Sequence, residues 1–65
     1  MKEKSLIVKG SRFEMSTYSV EETREGFIKE ASRIWPRRWS REITIYVFDE
    51  TQSGSIRSRE FKHTL

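Results

Sequence analysis

Arg33, Arg37, Arg38 and Arg41 fall within nine residues, RIWPRRWSR (33–41), which also hold Trp35, Pro36 and Trp39. Guanidinium groups neutralise phosphates and stack on aromatic rings, and a tryptophan set among them can receive the face of a nucleobase or a sugar. A second pair, Arg57 and Arg59, is spaced two apart, which puts both side chains on the same side of a strand. If the two sets lay on one surface they would form a basic stripe with interleaved aromatics. The same residues also fit a plainer role. Cations favour the C-terminal ends of helices, Trp35 completes a helical apolar stripe, and Trp39 closes a core.

Other chemistry is thinly represented. A nucleophilic Ser or Thr needs a base beside it, and the only side chain that titrates near neutrality is His63, two residues from the last position and expected to be a solvated tail histidine. Asp49 and Glu50 are adjacent carboxylates, so along a strand they point to opposite sides, and their surroundings read as a solvated turn. The three glycines, Gly10, Gly26 and Gly54, are isolated and make no phosphate cradle. Cysteine is absent, which removes disulfides and thiolate zinc sites together, and one histidine with scattered carboxylates does not assemble a metal site. These residues imply no catalysis, no metal, no cofactor and no small-molecule substrate.

At 65 residues the chain is expected to be one domain with a marginal core. Counting glycine, 25 of its residues are apolar, below the roughly 45–50% usual in soluble domains. Small domains offset such a deficit with disulfides, a metal or a partner subunit, and here the partner subunit is the remaining option. The opening MKEKSLIVK has an apolar run of three residues, LIV, too short for a signal peptide or a membrane span. A cytoplasmic location is the matching expectation. Residues 1–30 carry six basic and six acidic side chains, so the net charge of +3 lies wholly in residues 31–65, where six of seven cations are arginine.

The elements that must position these side chains follow from periodicity. Residues 20–35 read as a helix, with Ser19 and Glu22 as a capping box and Pro36 as the stop. Val20, Phe27, Ile28, Ala31, Ile34 and Trp35 form its apolar stripe. Gly26, inside the helix, is explained by close packing on a sheet. EITIYVF (42–48) alternates as a strand that is apolar on both faces, with Ile43, Ile45 and Val47 on one side and Thr44, Tyr46 and Phe48 on the other. DETQSGS supplies a turn, and IRSREFKH returns as a partner strand with a bulge near Arg57–Ser58, since Ile56 and Phe61 otherwise face opposite ways. SLIV and RFEMSTY fit either a hairpin through Gly10 and Ser11 or one longer strand with a glycine bulge.

The sequence thus predicts an α+β fold, a small antiparallel sheet of three or four strands with one helix on one face, in the order β(β)αββ. The function expected is that of a binding module, a regulator or accessory factor acting through protein–protein contact. The alternative is nucleic-acid binding through Arg33, Arg37, Arg38, Trp39, Arg41, Arg57 and Arg59. Tyr46 and Phe48, lacking cover from a single helix, are the candidates for self-association as a homodimer. Phe27, Ile34, Ile45 and Val47 are expected to be buried together.

Overall fold

The computed structural model describes residues 3–65. Strands β1 (Lys4–Lys9) and β2 (Glu14–Ser19) precede the helix α1 (Arg24–Ile34), and β3 (Glu42–Glu50) and β4 (Ile56–Thr64) follow it. All neighbours pair antiparallel in the order β2-β1-β3-β4. This is the α+β arrangement that the periodicity implies, with the N-terminal segment doubled into a hairpin. Gly10 N–H donates to the Phe13 carbonyl (2.8 Å), so the connection is the four-residue stretch 10–13, and Phe13 lies in the turn rather than on a strand.

One face of the sheet carries the core. Leu6 and Val8 of β1 and Ile43, Ile45 and Val47 of β3 alternate inward and are buried against Phe27 and Ala31 of α1 and Trp35 just beyond it. Ile34 packs on this cluster but is only half-buried, because Trp35 takes the deeper position at the end of the helix.

Three expectations change. The helix starts at Arg24 and is capped by Thr23, whose Oγ1 accepts from Gly26 N–H (3.0 Å). Ser19 is instead the last residue of β2, held opposite Lys4, and its hydroxyl accepts from Glu21 N–H. That bond closes a local turn two residues on, which competes with helical continuation. Glu22 is drawn to Lys4, and Val20 is exposed. What stands nearest Gly26 is Glu21, not the sheet: a side chain there would collide with Glu21, whose Cβ lies 2.9 Å from the position of an added Cβ. The bulge in β4 is absent. Every residue from Ile56 to Thr64 pairs with one of β3, so Phe61 faces the helix while Ile56 stays 66% exposed on the opposite side.

The β3–β4 turn runs from Thr51 to Ser55, with Gly54 at φ 87°, in the left-handed region that glycine enters without strain. β3 continues through Asp49 and Glu50, and β4 through His63, so these residues lie in paired strand, not in a turn or a frayed tail. Among the described residues no helix is long and apolar enough to cross a membrane.

Candidate functional site

Two surfaces stand out, and they lie on different parts of the molecule. The first is the end of the sheet where the β1–β2 turn meets the α1–β3 connection. Trp35 is pinned there: its indole N–H donates to the Ser40 carbonyl (2.8 Å), and its ring lies over Gly10 so closely that an added Cβ would stand 2.7 Å from Cζ2. Glycine at position 10 is what lets the turn pass beneath the indole. Trp39 packs edge-on against Trp35 (centroids 4.9 Å, planes at 81°) and is stacked on its other side by Phe13 (4.2 Å, 13°). Trp39 N–H donates to the Pro36 carbonyl (3.1 Å), and Leu65 N–H to the Arg41 carbonyl (2.7 Å), so the connection is tied at several points.

Arg37, Arg38 and Arg41 project from this connection and Arg12 from the facing turn, all four exposed. An open pocket of about 250 Å³ sits among Trp35, Trp39, Arg37, Arg41 and Leu65. Arg33 is committed elsewhere: in the last turn of α1 it pairs with Glu30, which raises its pKa by hydrogen bonding and charge attraction.

Arg57 and Arg59 do not join this cluster. Both lie on the helix-bearing side of β4, opposite Asp49 and Val47, seven pairs or fewer from the Glu42–Thr64 end. At strand rise, Arg57, opposite Asp49, is about 26 Å along the hairpin from Arg41. Arg59 also has a structural task. Its guanidinium lies 5.3 Å from the Phe27 ring centre and 3.5 Å from Asp49 Oδ2, and its Nε is buried with no hydrogen-bond partner among the described residues.

The second surface is the helix-free face of the sheet. The register sets Tyr18, Ser5, Phe48 and Ser58 in one row, Ser16, Ile7, Tyr46 and Glu60 in the next, and Glu14, Lys9, Thr44 and Lys62 in a third. Tyr46 and Phe48 are half-buried by their strand neighbours alone, and Tyr18 and Ile56 are exposed by 65% and 66%. Trp39 does not fold over this face; it belongs to the aromatic group at the end of the core. Ile7, Tyr18 and Ile56 join Tyr46 and Phe48 there, and only the pairing register, not local sequence, puts them together.

Among the described residues no group of three or more His, Asp or Glu side chains could hold a metal ion. His63 is half-buried opposite Ile43. No family model matches the chain, and no curated protein or solved structure shows significant similarity to it.

Proposed function

We propose that the protein is a non-enzymatic binding module that acts through protein–protein contact, and that the helix-free face of its sheet is the contact surface. One observation carries this reading: Ile7, Tyr18, Tyr46, Phe48 and Ile56 share a face that no other element among the described residues covers. Contiguous apolar surface of this kind on a small domain marks an interaction site.

The occupant that fits best is a second copy. A two-fold axis parallel to the strands, midway between β1 and β3, lays β3 over β1 and β4 over β2 of the other copy. The register then sets Tyr46 on Ile7, Phe48 on Ser5 and Lys62 on Glu14 of the second copy, with Glu60 over Ser16. Within these three rows no like charges face each other. A two-fold axis running across the strands at the Tyr46 row would instead bring Glu60 against Glu60. The face spans roughly 19 Å by 20 Å, a footprint of about 400 Å² per copy, which corresponds to a weak or transient contact, not an obligate one.

Sedimentation equilibrium from micromolar to several hundred micromolar protein tests the reading. A mass rising from 7.8 kDa toward twice that value supports it, and a particle of 7.8 kDa at every concentration overturns it. Tyr46→Lys with Phe48→Lys is expected to stay folded and monomeric. Lys62→Glu should weaken the dimer, and Glu14→Lys added to it should restore association, a reversal expected only from an axis parallel to the strands.

A further inference from the structure

We infer that the arginine-bearing end of the molecule, Arg12, Arg37, Arg38 and Arg41 around the Phe13–Trp39 stack, is a binding site for single-stranded nucleic acid. Four guanidinium groups are gathered there from two segments far apart in sequence, brought together because Phe13 stacks on Trp39 and Gly10 lies under Trp35. None of the four makes an ion pair with a described residue, whereas Glu14 pairs with Lys9, Glu22 with Lys4, Glu30 with Arg33 and Asp49 with Arg59. Glu14 and Glu42 flank this end, but Glu14 pairs with Lys9 and neither pairs with the four arginines, so the end keeps a net positive charge. Clustered like charges disfavour the compact state and contribute nothing to the fold unless an anion offsets them.

The aromatic geometry narrows the ligand. Phe13 lies parallel to Trp39 on one side and is 47% exposed, so a planar ring placed on its free side extends a stack that already exists. A nucleotide has such a plane in its base and carries the phosphate that arginines take up in bidentate fashion. An acidic peptide offers carboxylates without obligatory planes, and a duplex hides its base faces. The connection bearing three of the arginines is tied by Trp35 to Ser40, Trp39 to Pro36 and Leu65 to Arg41, so the cations leave from a fixed backbone and less ordering is needed on binding. The surface is separate from the helix-free face, so it functions whether or not the protein self-associates.

The test is fluorescence titration of the full chain with oligothymidylate and oligouridylate of about ten nucleotides, at several salt concentrations, reading both ligand anisotropy and tryptophan emission. Expected are binding with quenched tryptophan emission and a log–log salt slope between about −2 and −3, for three or four phosphates neutralised. Arg37→Ala with Arg38→Ala is expected to weaken binding at least about tenfold. Phe13→Ala should lose roughly fivefold or more together with the quench, while Phe13→Tyr keeps both. Arg57→Ala, at the far end of the hairpin, should change nothing. Circular dichroism of each variant confirms that the fold is kept. The inference is overturned by absence of binding at about 50 mM salt, by duplex or an acidic peptide binding as tightly as the single strand, or by affinity that is indifferent to the arginine and Phe13 substitutions.

Discussion

Arg59 lies over Phe27, its guanidinium carbon 5.3 Å from the ring centre, so the most deeply buried aromatic of the helix is roofed on one side by a charged side chain. The arrangement follows from unequal lengths. An eleven-residue helix reaches about 16 Å, while the nine-residue strands β3 and β4 reach about 30 Å. The sheet outruns its cover, and the stem of Arg59 lies beside the first turn of the helix, over Phe27. Arg59→Ala is expected to cost about 1–2 kcal/mol through lost packing and cation–π attraction. Arg59→Met keeps the stem and removes the unpartnered Nε, so it should stay within about 0.5 kcal/mol of the parent. Asp49→Asn, losing a partly exposed ion pair, should cost less than about 1 kcal/mol. Denaturant titration of the three variants checks the order.

Phe27 itself is fully buried and contacts the core from the first turn of α1, with Phe61 stacked at 6.2 Å. Phe27→Ala is expected to cost about 3–5 kcal/mol, enough to unfold a domain of this size. Loss of the cooperative thermal transition is the expected result; an unchanged melting temperature would contradict the packing described.

Lys4 is 4% exposed and its ammonium donates to Glu22 (2.9 Å). That hydrogen bond, then the attraction of the Lys4 charge, holds the Glu22 carboxyl below its ordinary pKa of 4.5, against a small opposing effect of desolvation and with help from Arg59. A lowered folded-state pKa contributes stability that is present above 4.5 and is lost as pH falls through the folded value. Glu22→Gln should therefore flatten the acid side of the stability profile and lower the melting temperature at neutral pH, because a buried ammonium loses its partner. Lys4→Met should flatten the same limb without that penalty, since an apolar residue replaces the buried charge. Thermal melts across pH separate the two outcomes.

Gly10→Ala places a methyl group 2.7 Å from Cζ2 and 3.1 Å from Cη2 of an indole that is 4% exposed and tied to Ser40. The ring has little room to yield, and a cost of about 1–3 kcal/mol is expected. The melting temperature should fall by about 4–8 °C per kcal/mol, with a change in tryptophan emission that a remote surface substitution would not produce.

The strands, the helix and the uncovered side of β3 are legible in sequence because period-2 and period-3.6 patterns are local. Tyr46 and Phe48 alternate with Ile45 and Val47, and one helix covers one side. The helix start was not legible in the same way. Ser19 and Thr23 are both good caps, and what decides between them is the pairing of Ser19 with Lys4, fifteen residues back. Arg57 and Arg59 occupy positions where alternation demands core residues, which makes sense only once the reach of α1 along β4 is known. The Phe13–Trp39 stack, which joins Arg12 to the arginines of 37–41, is a contact across 26 residues that no window could contain.

The strand order also sets the sequence of events by which the chain folds. β1 comes first among the described strands and is a central one, and its inner neighbour β3 lies far along the chain, with Leu6 opposite Val47, 41 residues away. Closing a loop of that length costs about 3 kcal/mol in chain entropy before any contact offsets it. The two hairpins form from neighbours, but neither buries Phe27 or Ala31 alone, so the meeting of β1 with β3 under the helix is expected to limit the folding rate, with high φ-values at Leu6 and Val47 as the check. During synthesis Leu6 and Val8 stay uncovered until Val47 and Ile45, some forty residues on, have been made.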